Sequence, residues 1–245
     1  MSNVSRRRQG DTLEWFYKEW HGEHVDIMRR SPGVMKLVRR YVQNPALHDG
    51  ALPSPPLPLG LEGWDAMSQL TFTGIQEFID CFNDPDYIAN VRGHLLSDPE
   101  KVVTVLTEDE VVIDGIANDS AVKAAVFYEL RDPADRDAFE SKWAGEFAEE
   151  VTAAEPILRH VRNRVAGSVH PDVFKNTRWE NVPMNEFVCY DEFWFANHLD
   201  MATFLDNEQV RKANSRLRKD FLTDRSFTYL CREIIPIDSL TPAPH

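Results

Sequence analysis

The sequence predicts an α+β fold made of two copies of one β-α-β-β-α-β unit, residues 1–116 and 121–238. Three observations carry this. The chain repeats itself, apolar spacing switches between helical and strand periods in the same order in each copy, and Gly, Pro and Asn mark the switches. At an offset of 123 residues, Trp20-His-Gly-Glu23 falls on Trp143-Ala-Gly-Glu146, and the register runs without a gap to Val42 on Val165. Six of the 23 paired positions are identical, where chance gives roughly one or two. Phe16 with Phe139 and Phe72 with Phe195 share the offset.

In the first copy, residues 11–30 place Leu13, Phe16, Trp20 and Ile27 at helical spacing behind an Asp-Thr start suited to an N-cap. Residues 34–42 alternate Val34, Val38 and Val42 with other types and meet Asn44-Pro45, which reads as a strand ended by a breaker. Residues 63–72 read as a second strand, 74–96 as two helical pieces split at Asp84-Pro85, and the β-branched run 101–113 as a third strand. The second copy has strand 122–130, helix 133–154, strands 157–165 and 187–195, helix 198–221 and strand 226–235. Residues 114–120 read as the linker, and 51–60 and 167–183 as loops inside the copies. The first strand of copy one should fall on residues 4–8, but these are short and polar beside Ala124-Ala-Val-Phe-Tyr128, so the pattern does not support it.

The hydrophobic content of 42% suffices for a packed core. A net charge of -13 repels phosphate backbones and anionic bilayers, so neither nucleic acid nor membrane is expected as a partner. Cys81, Cys189 and Cys231 are odd in number and widely spaced, which suggests neither a disulfide framework nor a zinc site. The basic start lacks a following apolar segment and no run approaches the ~20 residues of a span, so a cytoplasmic protein is expected.

Phe16-Tyr17-Lys18-Glu19-Trp20-His21-Gly22, then Pro32-Gly33 and Arg39-Arg40-Tyr41-Val42-Gln43-Asn44, resemble the aromatic-x-x-x-His-Gly and Pro-Gly-x-x-(Arg)-Tyr-x-x-Asn pattern of EthD-domain proteins, in the dimeric α+β barrel superfamily. Glu23 replaces the Pro usual after His-Gly, and the second copy has Ala144 in place of the His. The resemblance implies two ferredoxin-like sheets facing one another as a barrel within one chain. It also implies activity on aromatic or polyketide-like acids, as decarboxylase, cyclase or related lyase, or as the cofactor-free monooxygenases and isomerases of the wider superfamily.

In such a sheet one face meets the helices and the other the opposing sheet. Placing Val34/Ile157, Val38/Val161 and Val42/Val165 beneath the helices leaves Met35, Leu37, Arg39 and Tyr41, with Leu158, His160, Arg162 and Arg164, facing the lumen. Placing Leu70/Phe193 and Phe72/Phe195 there leaves Met67, Gln69 and Thr71, with Tyr190, Glu192 and Trp194, inside. A polar lumen is costly unless its groups are paired or used. Either Arg162 and Glu192 pair across neighbouring strands, or Arg39, Arg162 and His160 bind the carboxylate or phenolate of a small aromatic acid walled by Trp194, Tyr190 and Met67.

His21, beside Gly22 and matching the family His, is a candidate general acid or base, with Tyr41 as a second proton donor; each also reads as a structural hydrogen bond at the helix end. His24 stands where copy two has Phe147 and reads as a satisfied core histidine or as a substrate-binding residue. His94, His170 and His198 read as exposed helix-end or loop residues, and His48 with Asp49 borders a loop. His21-x-x-His24 lacks the carboxylate of a HExxH-like site, and no glycine-rich phosphate loop, G-x-S-x-G elbow, haem or flavin signature is present, so no metal or cofactor is expected.

The leading expectation is a cofactor-independent lyase that decarboxylates a phenolic or polyketide-like aromatic carboxylic acid. Arg39 or Arg162 would hold the anion, an apolar lumen would desolvate it, and His21 or Tyr41 would protonate the carbanion-like product. A cofactor-free monooxygenase or cyclase on an aromatic substrate is the alternative, and a non-catalytic aromatic-acid-binding protein another. Exposed sheet edges leave room for a homodimer. One composite site, with proton transfer from copy one and anchoring from copy two, fits the asymmetry of the copies.

Overall fold

The computed structural model describes residues 1–48, 55, 63–118, 120–166 and 187–240. The loops expected at 51–60, Pro55 excepted, and at 167–183 lie outside the described residues, as do Asp49 and His170. In chain order the first half contains β1 (Ser2–Arg7), α1 (Leu13–His21), α2 (Glu23–Arg29), α3 (Pro32–Leu37), β2 (Arg40–Pro45), β3 (Ala66–Thr71), α4 (Ile75–Asn83), β4 (Ser97–Val105) and β5 (Thr107–Ile113). The second contains β6 (Val122–Glu129), α5 (Arg136–Lys142), α6 (Ala148–Thr152), β7 (Arg159–Val165), β8 (Phe187–Phe195), α7 (His198–Asp206), α8 (Glu208–Asp220), β9 (Phe227–Arg232) and β10 (Ile234–Asp238).

The strands form two five-stranded antiparallel sheets, β10-β2-β3-β1-β4 and β5-β7-β8-β6-β9. Each sheet therefore borrows an edge strand from the other half of the chain. The strand expected at 101–113 is two strands, leaving the first sheet at Val105 and entering the second at Thr107; the strand expected at 226–235 likewise divides, and Ile234 pairs with Gln43. The seams are stitched by Leu47 N–H to Leu230 O at 2.9 Å and Ala166 N–H to Leu106 O at 3.1 Å.

The central strands share register as well as order: Ser5 faces Ala66 as Tyr128 faces Cys189, and Ser2 faces Gln69 as Ala125 faces Glu192. The first strand of the first half is formed and largely buried, although its residues are small and polar. Pairing on both sides to β3 and β4 supplies its backbone hydrogen bonds, so side-chain hydrophobicity is not needed to hold it.

Residues 34–42 correct the expectation. Pro32 opens α3, and β2 begins only at Arg40. Val34 and Val38 sit four residues apart, a spacing that a helix satisfies as well as a strand does, and both pack with Phe78 and Phe82. The second half has no counterpart of α3, so the gapless alignment fails beyond α2: Tyr41 pairs with Leu70 as His160 pairs with Phe193, which makes His160, not Arg164, the counterpart of Tyr41.

Helices cover the outer face of each sheet, and a third apolar cluster lies between the sheets, where Val4, Met67, Val103 and Val105 meet Phe127, Tyr190, Phe227 and Tyr229. Phe127 stacks on Tyr190 at 4.6 Å and on Phe227 at 4.8 Å between ring centroids. Beside these rings Lys123 Nζ donates to Glu192 Oε1 at 2.8 Å and Gln69 Oε1 at 2.9 Å, lies 3.3 Å from Glu233 Oε2, and stands 4.9 Å from the Trp194 ring centre. The lumen is thus filled by a ring stack and a hydrogen-bonded ion cluster. Among the described residues no helix is long and apolar enough to cross a membrane.

Candidate functional site

The helix side of the first sheet holds a mostly apolar cavity. Thr12 caps α1 by accepting from Trp15 N–H at 3.2 Å, and the stripe Phe16 and Trp20 lies down on the sheet. At Gly22 a Cβ would come within 2.8 Å of Lys18 O, so glycine allows the close turn that separates α1 from α2 and points His24 and Met28 inward. Together with α4 and the turn after it, these elements enclose a cavity of about 90 Å³. Its walls are mostly apolar, among them Phe16, Met28, Val34, Phe82 and Val91. Its polar groups include the hydroxyls of Ser5, Ser68, Ser97 and Tyr41, with Asn3, His24 and His94.

His24 Nδ1 and His94 Nδ1 are 3.2 Å apart, with the rings stacked at 5.4 Å. Only one of the two nitrogens can carry the shared proton. Glu19 Oε2 lies 3.9 Å from His94 Nε2, and a carboxylate there favours the tautomer of His94 protonated at Nε2. His94 Nδ1 is then the acceptor and His24 Nδ1–H the donor, which makes Nε2 of His24 the basic nitrogen. Tyr41 lies edge-on to His24 at 6.1 Å; its hydroxyl accepts from Trp20 Nε1–H at 2.9 Å and Gln43 Nε2–H at 3.1 Å, with Ser68 Oγ at 3.5 Å. Burial raises the pKa of the Tyr41 phenol, so it stays a neutral hydrogen-bonding group. Burial likewise pushes the Cys81 thiol, in the cavity wall, up to about 12. The same cause raises Cys189 well above its usual range and Cys231 to about 12. Iodoacetamide at pH 8 is therefore expected to leave all three thiols unlabelled in the native protein and to label all three in urea, read by intact mass.

The other sequence candidates fall elsewhere. His21 turns away from the cavity: its Nδ1 meets Gln43 Oε1 at 2.8 Å and its ring stacks on Tyr17. Gln43, which also donates to Trp20 O and Tyr41, stands between His21 and Tyr41. Arg39 lies near the surface, bonded to Glu77 and Thr73, not in the lumen. Met35 and Leu37 belong to α3 and pack under the helices. His160 and Arg162 also lie on the helix side, because the faces of β2 and β7 are reversed from the expectation. His160 Nε2 bonds Asp191 Oδ1 at 2.8 Å, and Arg162 bonds Glu110 at 2.7 Å and Ala144 O at 2.9 Å, so the expected Arg162–Glu192 pair does not form. Met67, Tyr190, Glu192 and Trp194 do face the lumen, where they are committed to packing or to Lys123. His198 is half-buried at the start of α7, and His48 is exposed with its Nε2 3.0 Å from the Tyr17 hydroxyl.

His94, expected to be exposed, is half-buried in the cavity wall, and Ser5, Ser68 and Glu19 were not singled out by the sequence. A histidine in a turn and serines in a strand carry no signal of their own, and only the return of the chain after α4 brings His94 to α2. In the second half the matching space is closed to about 10 Å³ and lined by Val126, Tyr128, Phe147, Val151 and Phe204. Phe147 stands where His24 does, Tyr128 where Ser5 does, and Phe204 where Cys81 does. One half is open and the other is packed shut.

The match to the EthD domain model covers residues 8–101. No curated protein matches the sequence. Among solved structures, an anthrone oxidase-like protein aligns at TM-score 0.64 with 7% identity, over 99% of this chain and 95% of that one. A candidate monooxygenase from Fusobacterium nucleatum aligns at TM-score 0.54 with 8% identity, over 96% and 91%. A candidate monooxygenase from Lactobacillus acidophilus aligns at 0.52 with 11% identity, over 97% and 94%. These likenesses establish a shared fold over nearly the whole chain, two antiparallel sheets with helices on their outer faces. The matched segment carries most of the cavity's lining, Phe16, His24 and His94 among it, while Met1, Asn3 and Ser5 lie before it.

Proposed function

We propose that this chain is a cofactor-independent oxygenase that oxidises a small, electron-rich aromatic compound in the helix-side cavity of its first half. The observation that carries the reading is the His24–His94 pair, set in a mostly apolar cavity with a carboxylate behind it. Nε2 of His24 takes a proton from the substrate and leaves a resonance-stabilised anion, whose electron-rich carbon reacts with dioxygen; proton return and loss of water then turn a CH₂ carbon, or its enol form, into C=O. One oxygen atom of O₂ ends in the product and the other in water, so no external reductant is consumed. The apolar walls exclude water from the anion, and the His94 tautomer keeps His24 basic at the nitrogen that acts.

The solved relatives named as monooxygenases and as anthrone oxidase-like support an oxygenase over the decarboxylase expected first. So does the cavity itself, since among the described residues no Arg or Lys lines it to hold a carboxylate. Its volume of about 90 Å³, below the ~150 Å³ cavity known to take up benzene, calls for a single ring and some yielding of Met28 or His94. We further propose that the two halves descend from one duplicated unit and that only the first retains a working site.

The test is oxygen consumption by purified protein offered a panel of single-ring phenols and hydroxylated aromatic ketones, with ¹⁸O₂ labelling of product. The expected result is one ¹⁸O atom per product and stoichiometric oxygen uptake. Release of CO₂ from an aromatic acid without oxygen uptake would return the assignment to a lyase.

A further inference from the structure

The closed pocket of the second half shows what the open one is shaped to receive. The two central strand pairs are in the same register, so Tyr128 projects from β6 where Ser5 projects from β1. The Tyr128 ring fills the space under the helices, with ring centres 5.9 Å from Phe139, 6.4 Å from Trp143 and 6.3 Å from Phe147. Its hydroxyl donates to Asp191 Oδ2 at 2.8 Å, an atom that also accepts from Trp143 Nε1–H at 2.7 Å. The first-half counterparts of these neighbours are Phe16, Trp20, His24 and Ser68. All four line the cavity.

We propose that the first-half cavity is a phenol site, in which the ligand ring takes the place over Ser5 that Tyr128 takes in the second half. The ligand ring lies between Phe16, Trp20 and His24, and its hydroxyl reaches the corner formed by Ser68 Oγ and the Tyr41 hydroxyl. That corner can accept from and donate to a phenol, because both of its groups are hydroxyls. Serine at position 5 and cysteine at position 81 are then specificity determinants: their small size is what leaves room for a ring. In the second half Tyr128 and Phe204 fill the same volume from within.

This deepens the oxygenase proposal and rests on it for the role of the cavity, but it concerns binding and is testable without turnover. The probe is p-cresol, the tyrosine side chain freed of its backbone, titrated calorimetrically into the full chain beside toluene, which lacks the hydroxyl. One p-cresol is expected to bind per chain, with toluene at least tenfold weaker. Ser5→Tyr installs the second half's plug; it is expected to raise the melting temperature and weaken p-cresol at least tenfold. Should Ser5→Tyr not fold, Cys81→Phe fills the same cavity with the second half's Phe204 and is expected to give the same loss. Toluene binding as tightly as p-cresol, or folded plugged variants that bind p-cresol like the wild type, would overturn the phenol site. Oxygen uptake separates the two proposals. Tight p-cresol binding that Ser5→Tyr abolishes, with no phenol oxidised, leaves the site standing and removes the oxygenase; oxidation that Ser5→Tyr abolishes, with toluene binding as tightly as p-cresol, does the reverse.

Discussion

Substitution of His24 by alanine is expected to lower kcat for the aromatic substrate by about 10²- to 10⁴-fold, the usual contribution of a positioned general base, a loss well beyond the fall in p-cresol affinity from removing one of the three walls of the ring site. His24 occupies only one side of the cavity, and the ring-binding surfaces of Phe16 and Trp20 remain. His94→Ala should lose less, since it removes the partner at Nδ1 and not the nitrogen that takes the proton. Glu19→Gln should lose less again, and its effect should appear in the pH profile, because the charge that fixes the His94 tautomer is gone while the shape is kept. Added imidazole should restore part of the activity of His24→Ala. Oxygen-electrode kinetics on the three variants check this order, and a His24→Ala enzyme that keeps more than a tenth of wild-type kcat would take the base assignment away from it.

Lys123→Met is expected to destabilise the protein by about 3–5 kcal/mol, enough to unfold a marginal domain. Lys123 is fully buried and Glu192 nearly so, and Glu233 is 20% exposed beside them. Burial disfavours the ammonium charge, but Glu192 and Glu233 overcome that penalty and hold the Lys123 pKa above its ordinary value. Removing the cation leaves the buried Glu192 carboxyl between two sheets without its ion-pair partner, with Asn163 and Gln69 the described residues that donate to it. The double variant Lys123→Met/Glu192→Gln should recover more than half of the loss, because a buried pair replaced on both sides costs far less than one broken on one side. Urea denaturation of the single and double variants measures both quantities, and a single variant within 1 kcal/mol of wild type would show the cluster to be hydrated.

Much of the architecture was legible because periodicity survives in single sequences: the helical spans at 11–30 and 198–221, each divided into two helices at Gly22 and Asn207, the strand at 187–195 and the inward face of β3 and β8 stand where spacing put them. The faces of β2 and β7 did not, for a specific reason. Three valines at intervals of four satisfy both periods, and the gapless alignment concealed the turn of helix that only the first half possesses. Once those strands are flipped, the arginines leave the lumen and the expected anion site dissolves. His24 was legible as an oddity, a histidine where the aligned second half has Phe147, but its partner His94 lies 70 residues away and nothing local announces the contact. The division between an open first half and a closed second was written in the sequence as Ser5 against Tyr128, yet it became meaningful only when the sheet register equated the two.

The exchanged edge strands bear on how the molecule is made. The first sheet takes its outer strand from β10, and Ser239 Oγ–H donates to Arg39 O at 2.6 Å across 200 residues of chain. During synthesis the half that carries the cavity is therefore complete in sequence long before it is complete in structure, and β2 waits with an unpaired edge until the last strand emerges. Closing contacts of such long separation are slow to form. In that interval the nascent chain offers a template edge to any other strand. Fidelity of assembly rests on the final dozen described residues reaching β2 before a neighbouring chain does.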